Sequence, residues 1–117
     1  IKCTFVQQKQ IMMKRISLEQ WHGQLDNNDN AVIIDVRTEY QIFDGIIENA
    51  LNINVENALL FVTEVKKLDP NKAYYLYCGS GFRSYKAGLV MKSLGFKEVY
   101  NLDCGYDGWI AAAENKE

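Results

Sequence analysis

Apolar residues in this chain fall alternately into short runs and spaced stripes. Ala31 to Ile34 and Ala73 to Tyr77 are continuous apolar runs, as in strands buried on both faces, and Leu51 to Ile53 and Glu98 to Leu102 read as further short strands. Between them Ala58, Phe61, Val62 and Val65 recur at helical spacing and stop before Asp69-Pro70. Ala87, Val90, Met91 and Leu94 form a second stripe, with Gly95 placed to end that helix in a left-handed turn. Ser17 followed by Gln20 is a capping-box pattern and predicts a helix from Leu18 to about Leu25, closed by the polar run Asp26 to Asn30. Glu39 to Phe43 predicts one or two helical turns ending at Asp44-Gly45, and Tyr106 to about Ala113 a terminal helix. Strands alternating with helices over short connections predict an α/β fold, a parallel sheet with helices on both faces. Residues 1–12 have weak periodicity and read as a loose arm or leading strand ahead of a single domain over 13–117.

Composition narrows the function classes. The 117 residues are 48% hydrophobic and 24% charged, ordinary values for a chain that buries its own core. A net charge of −2 gives no reason to expect nucleic acid or an anionic membrane as partner. No apolar run approaches the roughly 18 residues that span a bilayer. The expectation is a cytoplasmic monomer. The chain begins at Ile1 rather than methionine, as a fragment or processed form would. Three cysteines, at 3, 78 and 104, lack C-x-x-C spacing, too few and too scattered for a disulfide framework or a zinc site, so no metal is expected. The single histidine, His22, sits in the pattern of a surface helix, which leaves a Cys-His protease poorly supplied.

The informative stretch is "YYLYCGSGFRSYKAGLVMKSLG", Tyr74 to Gly95. An apolar strand ends at Cys78, two glycines follow, and a helix opens near Arg83-Ser84. In parallel sheets, ligands bind beyond the carboxyl ends of the strands, where loops open into helix N-termini. Gly79 and Gly81 let the backbone around Ser80 and Phe82 curl so that successive N–H groups face inward as an anion nest. The helix start adds unpaired N–H groups and the positive end of its dipole. All of this favours thiolate over thiol, and cysteines so placed titrate at roughly 3.5–7.5 rather than about 8.5. Arg83 supplies a fixed cation for an anion that the thiolate meets. A buried cysteine after a strand is often only a small hydrophobe, but that role needs neither the glycines nor the arginine.

"CGSGFRS" resembles the active loop of the rhodanese (sulfurtransferase) family. "IIDVRTEYQIFDG" is similar to the family's Asp-Val-Arg stretch, "NALNIN" to the strand after it, and "VYNLDCGYDGW" to its closing strand and turn. The resemblance spans about Ile16 to Trp109, with the segments in the family's order. It implies five parallel strands and a double displacement with Cys78 as nucleophile. The Cys78 thiolate takes a sulfane sulfur from a small-molecule donor such as thiosulfate, and the persulfide, held by the loop from Gly79 to Ser84, passes it to a thiol, cyanide or a protein acceptor. No cofactor is implied. Asp35 and Arg37 are expected to brace the loop from behind.

Two segments depart from the family's pattern. Its Gly-His-Ile-x-Gly-Ala becomes Gly45-Ile46-Ile47-Glu48-Asn49-Ala50, without the histidine and second glycine, and its Gly-Gly pair becomes Cys104-Gly105. Cys104 is expected to be a small residue in a glycine-like turn. The alternative is a resolving thiol, since Cys104 and Cys78 each follow a strand at the same sheet edge and the resemblance implies that these strands are near neighbours, about 4.7–4.9 Å apart if adjacent. Two other functions compete. A phosphatase or arsenate reductase loop places five residues between cysteine and arginine, whereas four separate Cys78 from Arg83, which shortens the contour by up to about 3.3–3.6 Å. A non-catalytic or sulfur-carrying interaction module is the other.

Overall fold

The computed structural model describes residues 13–115. The reading of residues 1–12 as arm or leading strand lies outside the described residues. The chain order is β1 (Lys14–Ile16), α1 (Leu18–Leu25), β2 (Ala31–Asp35), a 3-10 turn (Gln41–Asp44), β3 (Leu51–Asn52), α2 (Ala58–Val65), β4 (Ala73–Tyr77), α3 (Phe82–Ser93), β5 (Glu98–Leu102) and α4 (Gly105–Asn115). Five parallel strands stand in the order β1-β5-β4-β2-β3. The expected α/β fold, with helices on both faces, is what the chain forms.

Strand β4 holds the centre, and all five of its residues are buried, which is why its sequence is apolar without alternation. Its side chains still alternate in direction. Tyr74, Leu76 and Cys78 join Ile34, Phe61, Val65, Ala87 and Met91 in a core under α2 and α3. Ala73, Tyr75 and Tyr77 join Ile16, Trp21 and Leu102 in a second core, against which α1 and α4 pack. Trp21 meets Tyr75 and Tyr77 edge-on, at 5.6 and 6.1 Å between ring centroids.

Local signals set the helix ends. The Ser17 hydroxyl accepts from the Gln20 amide while the Gln20 side chain accepts from the Ser17 amide, the reciprocal capping box. Gly95 closes α3 with φ of 98°. The first strand was not legible: Lys14-Arg15-Ile16 buries only its isoleucine and pairs only with β5 at the sheet edge.

Within α2, Phe61 is buried against the first core while Leu59 is 80% exposed. Phe61→Ala is expected to destabilise the fold by about 3–5 kcal/mol, through lost transfer energy and a residual cavity. Leu59→Ala is expected to stay within about 0.5 kcal/mol. Urea midpoints of the two variants check this, and similar midpoints would place Phe61 outside the core.

Candidate active site

Cys78 is the first residue beyond β4 and is buried at the floor of a cavity of about 270 Å³. Gly79, Ser80, Phe82, Arg83, Arg37, Gln41 and Asp107 form the rest of its walls. The helix that follows has no side-chain cap: its N-cap is Gly81, at φ of 93°. The sulfur takes that role. The Gly81 amide lies 3.1 Å from Cys78 Sγ and the Ser84 amide, on the third residue of α3, 3.4 Å from it. Two N–H groups at the positive end of a helix therefore converge on one sulfur. Gly81 has no substitute, because a Cβ there would run into the Asp103 carbonyl.

Helix α4 holds the loop from the other side. The Tyr106 amide donates to the Cys78 carbonyl at 2.7 Å and the Asp107 amide to the Gly79 carbonyl at 3.0 Å. These donors draw the loop's carbonyls towards α4, leaving amides for the sulfur. The contact is close enough that a Cβ on Gly105, at φ of 62°, would overlap the Gly79 carbonyl. The family's glycine pair is thus indispensable at its second position, and the first admits Cys104.

Burial pushes the Cys78 thiol up. Hydrogen bonds from the Ser84 hydroxyl and from the amides of Ser84, Gly81 and Ser80 outweigh it, and the net direction is down. The Ser84 hydroxyl has one proton and two candidate acceptors, Cys78 Sγ at 3.4 Å and a shorter approach to Asn101 Oδ1. Asn101 is oriented by its amide group, which donates to the Gly81 carbonyl at 2.9 Å. With a neutral thiol the hydroxyl proton belongs on the Asn101 oxygen. A thiolate, carrying full charge, draws it to sulfur.

Asp35 and Arg37 stand behind and beside this loop. Arg37 Nη2 lies 2.7 Å from Asp35 Oδ2, and Nε lies 3.1 Å from both carboxylate oxygens. The same guanidinium donates to the carbonyls of Gly45, at 2.7 Å, and Gln41, at 3.4 Å, and stacks on Tyr106 with its carbon 4.1 Å from the ring centroid. Arg37 therefore ties the rim together, and it also forms part of the cavity wall.

Arg83 reaches the wall, where its Nη1 lies 2.6 Å from Glu56 Oε1 in an ion pair whose two side chains are half exposed. Cys104 departs from the resolving-thiol alternative. Strands β4 and β5 are neighbours, as that alternative required, yet Cys78 belongs to the core under α2 and α3 and Cys104 packs against the other. A Cβ on Gly108 would strike the Cys104 sulfur, which places that thiol against α4. Burial pushes the Cys104 thiol up, and the neighbouring Asp103 charge adds to this. Both cysteines are free. His22 is exposed and lies tilted against Trp109, 5.0 Å between centroids, on the α1/α4 side of the sheet.

Asn49 answers the missing second glycine. It adopts φ of 69°, a left-handed conformation that asparagine tolerates better than most residues. Three residues of the site escaped the sequence reading: Asn101, Gln41 and Asp107. Asn101 left a signal, a buried amide in a strand whose neighbours Val99 and Leu102 are core. Gln41 and Asp107 left none.

The comparisons agree on the fold. Residues 18–112 match the sequence profile of the family described as Rhodanese-like domain. Two proteins named tRNA uridine(34) hydroxylase, from Legionella pneumophila strains Corby and Lens, are 31% and 34% identical over 105 residues. Those matches cover 87% of this chain but 41% of each relative, so the chain spans about two-fifths of their length. Among solved structures, a rhodanese-like domain protein from Staphylococcus aureus superposes with a TM-score of 0.72 at 27% identity, over 83% of this chain and 91% of that one. A human single-domain sulfurtransferase superposes with a TM-score of 0.68 at 24% identity, over 83% and 95%, a likeness of fold alone.

Alkylation of Cys78 by iodoacetamide, followed by peptide mass, is expected to reach half its maximal rate below the pH of an ordinary thiol, about 8.5. Ser84→Ala removes a hydrogen bond to the charged form, so its profile is expected to move to higher pH, whereas Asn101→Ala removes the acceptor that competes with sulfur for the Ser84 proton, so its profile is expected not to rise. An unmoved Ser84→Ala profile would leave the backbone amides as sole source of the lowered value.

Proposed function

Since the chain belongs to the rhodanese-like domain family, we propose that it is a sulfurtransferase carrying a sulfane sulfur as a persulfide on Cys78. The observation that carries this reading is the pair of amides, Gly81 and Ser84, directed at Cys78 Sγ on the floor of an open cavity. In the first half-reaction the Cys78 thiolate attacks the outer sulfur of a donor such as thiosulfate, and the donor's remaining fragment leaves with the bonding electron pair. The new terminal sulfur bears the negative charge, and the same amides stabilise it. In the second half-reaction an acceptor thiol, cyanide or a protein cysteine attacks that terminal sulfur and returns Cys78 as thiolate. A non-catalytic module would need neither the lowered thiol nor the cavity above it.

Phosphatase chemistry is less well supported. A phosphate before the cysteine needs a free guanidinium, and Arg83 is paired with Glu56. No useful turnover of an aryl phosphate is expected, and a colorimetric assay showing robust hydrolysis would reverse this ranking.

A second reading concerns the whole protein. The likeness to proteins named tRNA uridine(34) hydroxylase, over about two-fifths of their length, favours a rhodanese-like segment working inside a longer tRNA-modifying protein. Comparing modified wobble uridines in tRNA from cells with and without the gene tests it, and identical profiles would remove it.

Intact-mass analysis after exposure to a sulfane donor is expected to show one added sulfur, mapped to Cys78. Cys78→Ser is expected to abolish transfer while the far-ultraviolet dichroism of the fold remains. Transfer surviving this change at more than a trace would sink the assignment.

A further inference from the structure

The charges around the cavity bear on which donor the site takes, an inference that rests on the sulfurtransferase reading. Thiosulfate brings two negative charges to a thiolate, and a cavity suited to it needs uncompensated cations. Two arginines reach the wall, and both are paired, Arg37 with buried Asp35 at 2.7 Å and Arg83 with half-exposed Glu56 at 2.6 Å. The remaining charged wall residue is Asp107. Its amide is tied to the Gly79 carbonyl at 3.0 Å, and its Oδ2 lies 3.9 Å from where a Cβ on Gly79 would stand. Among the described residues no cation lies within ion-pair distance of Asp107. Asp44 adds another carboxylate in the adjoining hollow of about 420 Å³, which shares Arg37, Gln41, Gly79 and Asp107 with the first. Lys86 is held over the Phe82 ring, 4.7 Å from its centroid, and does not line either space. Among the described residues the two spaces are thus lined by two paired arginines and by two carboxylates, Asp107 and Asp44, with no cation in ion-pair distance. The uncharged lining mixes polar Gln41 and Ser80 with apolar Phe82, which is 64% exposed, and Ile110 beside the hollow.

We propose that Asp107 selects the donor by charge, disfavouring dianionic thiosulfate and favouring an organic persulfide whose carbon skeleton is neutral or cationic, with an aminoalkyl persulfide fitting best. Phe82 and Ile110 take the skeleton and Asp107 the ammonium group. The step balances without an oxidant. The Cys78 thiolate bonds to the outer sulfur of R–S–SH, and the bond between the two donor sulfurs breaks. Its electron pair leaves on R–S⁻, which takes a proton from water, and the original proton stays on the transferred sulfur. Asp107 does not touch the reacting atoms. It acts on how often, and which way round, a charged donor arrives.

The test compares persulfide loading of the wild type, Asp107→Asn, Asp107→Glu and Glu56→Gln with three donors, thiosulfate, 2-hydroxyethyl persulfide and 2-aminoethyl persulfide, at low and high salt. Loading is read as kcat/KM and as sulfur on Cys78 by mass. In the wild type the aminoethyl donor is expected to be fastest and thiosulfate slowest. At low salt Asp107→Asn is expected to raise kcat/KM for thiosulfate by about three- to eightfold, the effect of one charge on a dianion roughly 7 Å away in water. It should lower the aminoethyl rate and leave the hydroxyethyl rate within about twofold, and high salt should compress these differences. Asp107→Glu should restore the wild-type order. Glu56→Gln, which releases Arg83, should raise the thiosulfate rate as well. A carboxylate in the first turn of α4 also complements the helix dipole, but that role would alter stability and move all three donors together. Parallel changes for all donors, or a wild type that prefers thiosulfate, would overturn the role of Asp107. Absence of sulfur on Cys78 with every donor would instead overturn the sulfurtransferase reading beneath it.

Discussion

A buried guanidinium must find acceptors for its N–H groups, and the way Arg37 does so organises the rim of the site. The residue is 4% exposed. Asp35, fully buried at the end of β2, takes its charge, while the carbonyls of Gln41 and Gly45 fix the 3-10 turn and its exit. The Tyr106 ring lies under the guanidinium, so α4 is registered against the same group. Asn52 completes the arrangement, its amide donating to the carbonyls of Asp35 and Arg37 at 3.0 Å each. Removing either charge would leave the other buried and unpaired, which typically costs about 3–5 kcal/mol. One ion pair therefore ties the end of β2 to the 3-10 turn and α4 beside the cavity of Cys78.

The fold was largely legible because its signals are local. Continuous apolar runs, a capping box and a closing glycine each depend on residues a few positions apart, and the corresponding strands and helices formed where those patterns stood. Lys14–Ile16 escaped because three residues with two charges leave no period to read. Such a strand is specified by β5, far along the chain.

The site divides the same way. Cys78, its glycines and the helix start are contiguous, so their cooperation could be inferred from spacing alone. The partner of Arg83 could not, since Glu56 lies 27 residues away and pairing depends on how α3 sits beside the loop that precedes α2. Cys104 shows the limit of topological reasoning. Two neighbouring strands did bring two cysteines to one sheet edge, but edge does not specify face, and the second thiol turned into the other core. Asn49 shows the reverse: a departure from the family's glycine that the backbone absorbs, since asparagine accepts the left-handed turn.

The sulfur that caps α3 is also the group proposed to react, and thermodynamic linkage ties the two roles together. A thiol whose pKa is lower in the folded chain than in the unfolded one adds stability above the unfolded value. That contribution fades as pH falls through the folded value, because the proton then binds both states alike. Active sites commonly reduce stability, holding charges and conformations that the fold would otherwise avoid. Here ionising the nucleophile completes a helix terminus that has no oxygen to close it. The state ready for attack is the better folded one.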